Sequence, residues 1–177
     1  NKAIKISKKI DDRDNNYYLY KDIEKLEENI EDIYLLDIPN SKEYIEKLVN
    51  LKPKKIYLIC EEKQILSDVY LIDKDRLIKL FNIILSIPNK QINIAQQLDK
   101  LLTTLKTNVD SLKIMIQIFK ELNLITFENN TLKLNENYKK VDLKQSASFV
   151  RMESIFEVEK LLLKENIPNI NKAFDKN

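Results

Sequence analysis

The sequence predicts an α/β chain: a small parallel-sheet βαβ unit, then a winged helix-turn-helix, then a C-terminal helix. Three observations carry this. Two short apolar runs, Asp32–Asp37 and Ile56–Cys60, flank a segment with helical apolar spacing. Between residues 73 and 122, three stretches follow one another with apolar residues three and four apart. Beyond them, two apolar runs enclose Asn129-Asn130, and asparagine tolerates the positive φ that a tight hairpin needs.

Residues 1–16 are polar and charged, with weak alternation at Ile4, Ile6 and Ile10. They read as an incoming strand or a linker. The chain opens at Asn1 without an initiator methionine, so it is expected to be a piece cut from a longer protein. Residues 17–72 form the α/β unit. Tyr17-Tyr18-Leu19-Tyr20 suits a strand or a helix start, and KDIEKLEENI a short charged helix. Glu24, Glu27, Glu28, Glu31 and Asp32 make this region acidic, as a solvated face is. DIYLLD is a buried strand. Ser41 is an N-cap, and Tyr44, Ile45, Leu48, Val49 and Leu51 form the apolar face of the helix it starts. Pro53 ends that helix, and Ile56–Cys60 is a second buried strand. Strand, helix and strand with short connections give a right-handed unit with parallel strands. Residues 61–68 read as a loop, and Val69–Ile72 as a third strand.

Residues 73–135 carry the winged helix-turn-helix order. A helix over 73–86 buries Leu77, Leu80, Phe81, Ile84 and Leu85 and stops before Pro88. A second, over 93–104, buries Ile94, Leu98, Leu101, Leu102 and Leu105. Asn108 caps a third, whose stripe is Leu112, Met115, Ile116, Phe119 and Leu122, widened by Ile114 and Ile118. Asn123 suits a left-handed C-cap, and the hairpin follows. Residues 136–177 are a basic connector, NYKKVDLKQSAS, and a closing helix capped by Ser146 or Ser148. Phe149, Met152, Ile155, Phe156, Leu162 and Leu163 mark its apolar side. Residues 167–177 read as a short helix or a tail.

Composition excludes more than it assigns. The 177 residues include no histidine and no glycine. Without histidine the commonest metal ligand and general base is missing, and so are Ser-His-Asp and Cys-His systems. Without glycine there is no P-loop and no dinucleotide fingerprint, both of which bring backbone close to phosphate. No catalytic residue and no metal ligand is therefore assigned. Asp11, Asp12 and Asp14 offer oxygen ligands, but Lys8, Lys9 and Arg13 flank them, and a solvated loop is the better reading. Asp37 ends a parallel strand, where open α/β sheets place ligands; capping the turn before Pro39 is its simpler job. The single Cys60 lies in an apolar run and reads as a buried thiol in a reducing, cytoplasmic setting. No run suits a membrane span.

Net charge is only +2, and the arginines are Arg13, Arg76 and Arg151. Two basic surfaces are candidates for binding. Lys113, Gln117 and Lys120 fall at i, i+4 and i+7 on the third helix, opposite its apolar stripe, on the face a winged helix offers to a groove. An ordinary solvated face has the same pattern. Lys139, Lys140, Lys144 and Arg151 lie close to Tyr138 and Phe149. Cations interleaved with aromatics suit single strands, whose bases stack and whose phosphates are neutralised. They also suit an acidic peptide tail.

The blocks LLDIP, LKPKKIYLI and YLIDKDRLIKLF, then IMIQIFKELNLITFENNTLKLN through KKVDLKQSASF, resemble the C-terminal domain of the bacterial single-strand-specific exonuclease RecJ in its Firmicutes form. The resemblance spans roughly residues 32–163. The sequence departs from it in lacking glycine around residues 68–73. It implies a parent enzyme that degrades single-stranded DNA from the 5′ end in repair and recombination. That enzyme's divalent metal, manganese or magnesium, is held by Asp and His residues, including a DHH motif, in N-terminal domains. This chain is then a non-catalytic accessory domain without a cofactor of its own. Its implied partners are single-stranded DNA, the acidic tail of single-strand-binding protein and the parent's N-terminal domains, with no membrane. The alternatives are a winged-helix transcription regulator on duplex DNA, and a purely structural domain.

Overall fold

The computed structural model describes residues 2–9, 16–26, 29–59 and 65–164. Cys60, Asp11, Asp12, Asp14 and the tail 167–177 lie outside them. The architecture is mixed α/β, with a small parallel sheet and several helices. The chain divides into two compact units, Asn1–Ser67 with Glu153–Asn177, and Asp68–Met152.

The first unit is built on β1 (Ala3–Ser7), β2 (Tyr17–Leu19), β3 (Asp32–Leu35) and β4 (Lys55–Leu58), all parallel, in the order β2-β1-β3-β4. Helix α1 (Lys42–Asn50) connects β3 to β4, and Ser41 starts it by accepting from the Glu43 N–H. Alternate residues Ile4, Ile6, Ile33 and Leu35 point to one face and are fully buried with Leu48 of α1. The incoming segment is thus a central strand, held by two buried isoleucines that a short polar sequence hardly advertises. Tyr17–Tyr20 is both things expected of it: β2 ends at Leu19, and a 3-10 helix runs over Tyr20–Lys25. That helix is shorter than the charged helix read from the sequence. Tyr20 and Ile23 are its buried residues, and Leu26, just past its end, is buried too; a repeat of three matches three residues per turn.

The expected strand at Val69–Ile72 is not formed. Leu66–Val69 is a helical turn, α2, and side chains satisfy the backbone beyond it. The Leu71 N–H donates to Ser111 Oγ at 2.8 Å, and the Leu71 carbonyl accepts from Thr107 Oγ1 at 2.8 Å. With both groups paired this way, no ladder is needed.

The second unit continues with α3 (Lys74–Ser86), β5 (Gln91–Asn93), α4 (Ile94–Leu105), α5 (Val109–Glu121), β6 (Ile125–Glu128) and β7 (Thr131–Leu134). Asp73, Asn93 and Asn108 cap the three helices through the N–H groups of Arg76, Gln96 and Ser111. Leu77, Leu80 and Ile84, then Ile94, Leu101 and Leu105, then Leu112, Met115, Ile118 and Phe119 fill the core. Leu98 and Leu102, expected inside, are half-buried. The hairpin β6–β7 turns at Asn129 and Asn130, with φ of 49° and 60°. Asn123, at φ 54°, takes the expected left-handed conformation after α5. A third strand, β5, pairs antiparallel with β7, giving the order β5-β7-β6. Three residues carry too little pattern to announce it. Helix α6 (Ala147–Lys164) closes the described chain. It buries Met152 and Val158, while Leu163, expected on the apolar side, is exposed.

Replacing Asn129 and Asn130 together by alanine is expected to lower the unfolding free energy by about 1–2 kcal/mol, because a Cβ residue without a local polar partner is disfavoured in the left-handed region. Glycine at both positions is expected to cost nothing there. Urea unfolding of the two variants checks this.

Candidate nucleic-acid interface

The candidate residues all belong to the second unit. Lys113, Gln117 and Lys120 are exposed along α5, because the residues between them are drawn inward. Two of the three have partners. Lys113 Nζ lies 3.5 Å from Asp110 Oδ1, an exposed pair of small energetic weight. Gln117 Nε2 donates to Glu121 Oε1 at 3.1 Å. Only Lys120 of this trio has no ion pair or side-chain hydrogen bond among the described residues.

The connector follows β7. Tyr138 is 38% exposed, and its ring meets Phe81 edge-on at 5.4 Å. Phe81 in turn meets Phe119 edge-on at 6.0 Å. Aromatic contacts of this geometry hold the start of the connector against the core. Asp142 then caps a short 3-10 helix over Leu143–Gln145 by accepting from the Lys144 N–H at 2.9 Å. Lys139, Lys140, Lys144 and Arg151 are exposed, and no ion pair engages them among the described residues. Phe149 is half-buried at the start of α6, so Tyr138 is the ring more open to a ligand. Of the two candidate caps, Ser146 does the capping: its Oγ accepts from the Phe149 N–H at 3.1 Å.

One residue joins the two candidate surfaces, and sequence reading missed it. Glu121, at the end of α5, takes Ser146 Oγ–H on Oε2 at 2.6 Å, Ser148 Oγ–H on Oε1 at 2.6 Å, and the Ser148 N–H on Oε2 at 2.9 Å. These bonds, the one from Ser146 first, hold its carboxyl well below the usual range, at about 2. The segment carrying Lys120 is thereby tied to the segment carrying Lys144. In the sequence Glu121 counts only as one more acid. The available signal was a pair of serines, two apart, opening a helix whose first N–H groups need acceptors.

A cavity of about 380 Å³ lies beside the hairpin, lined by residues that include Asn123, Thr126, Lys133, Asn135 and Glu136. Its lining is polar, with no aromatic or aliphatic anchor beyond Leu134. Elsewhere, Asp37 sits at the end of β3 and bonds across to β1: Asp37 Oδ2 accepts from Ser7 Oγ at 2.6 Å and from the Lys8 N–H at 3.0 Å.

Fold and surface together define a mixed α/β domain with outward-facing lysines. The chain matches the family Single-strand DNA-specific exonuclease, C terminal domain, over residues 2–174, and it belongs to that family. No curated protein and no solved structure matches it. Among the described residues, no helix is long and apolar enough to cross a membrane.

The Glu121 cluster fixes a pH dependence. The folded carboxyl titrates at about 2 against an ordinary value of 4.5. Its ionised form therefore adds stability that is fully present above 4.5 and lost as pH falls toward 2. Glu121→Gln is expected to melt lower than the parent at pH 7, with the difference shrinking between pH 4.5 and 2. Thermal melts followed by circular dichroism across that range test it.

Proposed function

We propose that this chain is the non-catalytic accessory domain of a RecJ-like 5′→3′ single-stranded-DNA exonuclease serving repair and recombination. Its basic connector gives the enzyme an auxiliary grip on the strand. The observation that carries this reading is the family match over residues 2–174, joined to a sequence without histidine. The hydrolytic site, with its divalent metal, then belongs to the parent enzyme's other domains. Lys139, Lys140, Lys144 and Arg151 would neutralise phosphates while Tyr138 offers a ring for a base. Lys120, and more weakly Lys113, would extend the same positive surface. Gln117, held by Glu121, contributes least.

We read helices α3, α4 and α5 with the β6–β7 hairpin as a winged helix that serves as a platform for the connector. Duplex reading through α5 is disfavoured by charge. Residues 92–134 hold five lysines against four acids, and duplex affinity rests on neutralised phosphates. A peptide partner, such as the acidic tail of single-strand-binding protein, would need an apolar anchor site. The cavity by the hairpin is polar, which favours the strand.

The test is a titration of the chain with labelled oligothymidylate at several salt concentrations. If four cations meet phosphates, the slope of log affinity against log salt should approach about −3, at roughly −0.7 per contact on single strands. Lys139→Ala, Lys140→Ala and Lys144→Ala together should bring it to about −1. Binding of an acidic peptide with no binding of the strand would overturn the reading in favour of a recruitment module. Tight sequence-selective binding of duplex would replace it with a regulator.

A further inference from the structure

The parallel sheet of the first unit reverses its strand order at β1. The chain goes first to β2 on one side of β1, then to β3 on the other. In open parallel sheets, ligands bind in the crevice at such a reversal, outside the carboxyl ends of the strands. Here those ends hold a carboxylate. Ser7 closes β1, and Asp37 lies just past β3. Ser7 Oγ donates to Asp37 Oδ2 at 2.6 Å, and the Lys8 N–H donates to the same oxygen at 3.0 Å. Tyr20, just past β2, donates its hydroxyl to the Asp37 carbonyl. The other carboxylate oxygen, Oδ1, is buried and has no hydrogen-bond partner among the described residues. A buried acceptor left in that state is costly, most of all on a charged group. A cavity of about 260 Å³ adjoins, lined by Lys8, Leu19, Tyr20, Lys21, Asn40 and Tyr44. Two of these, Lys8 and Tyr20, are the residues that hold Asp37. Two cations and no acid line the cavity. Both lysines are exposed, and no ion pair engages either among the described residues. Asp22, beside Lys21, is taken by Lys25 at 2.6 Å.

We propose that this crevice binds a small phosphorylated sugar, either free or within a mononucleotide. The open Asp37 oxygen accepts from a ligand hydroxyl, as a carboxylate does for ribose in other open parallel sheets. Lys8 and Lys21 meet the phosphate as point charges. Side chains take this role because a chain without glycine has no glycine-rich loop to bring its backbone to a phosphate. Leu19 and the rings of Tyr20 and Tyr44 supply an apolar wall; the Tyr20 hydroxyl is already committed to Asp37. A cavity below the usual range for drug-sized ligands suits one such unit rather than a polymer. A bare divalent cation fits less well. Hard cations gather several oxygen ligands, and no group of three or more acids is assembled for one among the described residues. The site lies apart from the connector in the sequence and does not depend on reading the chain as a strand-binding accessory.

The experiment titrates the 177-residue chain by calorimetry with ribose phosphate, adenosine monophosphate and ethyl phosphate, and locates binding by amide NMR shifts. Ribose phosphate is expected to bind about tenfold or more tighter than ethyl phosphate, which has the phosphate but no hydroxyl for Asp37. Lys8→Glu with Lys21→Glu, both at exposed positions, is expected to weaken ribose phosphate by about tenfold or more. Asp37→Asn is expected to bring ribose phosphate down to the level of ethyl phosphate and to leave ethyl phosphate unchanged. Tighter binding of adenosine monophosphate than of ribose phosphate would identify the nucleotide as the source; equal or weaker binding would identify the free sugar phosphate. Shifts centred on Lys8, Leu19, Lys21 and Asn40 support the site. No binding of either sugar phosphate, equal binding of ethyl phosphate, or shifts centred on the hairpin would overturn it. Should Asp37→Asn unfold, the comparison of ligands on the parent chain decides.

Discussion

Every chain reversal in this protein is made without glycine. Eight described residues have positive φ, and all are asparagine or lysine: Asn29, Lys52, Asn89, Lys90, Lys106, Asn123, Asn129 and Asn130. A left-handed residue with a Cβ costs free energy, least for asparagine, whose short amide can bond locally. These positions are where the architecture turns. Asn89-Lys90 leads into β5, Lys106 ends α4, Asn123 ends α5, and Asn129-Asn130 closes the hairpin. Surrounding bonds hold at least one of them in place. Asn135 Nδ2 donates to the Asn123 carbonyl at 2.7 Å and to its Oδ1 at 3.1 Å, from across the hairpin. The second unit's core, with Leu80, Ile84 and Met115 fully buried, over-determines turns that the local sequence favours only weakly.

Carboxylates do the complementary work at helix starts. Glu121 receives two hydroxyls and one backbone N–H at the start of α6. Glu159, 2% exposed, receives the N–H groups of Leu66 and Ser67 at 2.6 and 2.9 Å. Both satisfy donors that a helix leaves unpaired. Both are thereby committed to structure, and neither has the open, convergent setting of an acid or base in catalysis. Much of the positive charge stays on the surface.

The two proposed sites use different physics. On the connector, affinity would come mostly from phosphates, so it should fall steeply with salt. In the crevice it would rest on a buried carboxylate oxygen as much as on two lysines, and salt screens buried groups less. Glu121 matters only to the first, through the segments it ties together. The crevice depends instead on register, since one residue of slip in β1 would send Ile4 and Ile6 outward and part Ser7 from Asp37.

The sequence by itself determined what rests on contacts within a few residues. The caps Ser41 and Asn108, the three apolar helix stripes and the Asn129-Asn130 turn all operate over a turn or less. So did the exclusions that follow from having no histidine and no glycine. Tertiary structure alone decided the rest. Strands of three to five residues, such as β1, β2 and β5, hold too few periods to be recognised, and their partners are far along the chain. Val69–Ile72 has strand-like residues, yet Ser111 and Thr107 satisfy its backbone. The lysines of the candidate surface were legible as cations. That Gln117 is occupied, that Glu121 ties α5 to the connector, and that Lys8, Lys21 and Asn40 line one crevice were not. Each depends on groups brought together by packing between distant segments, which no local preference encodes.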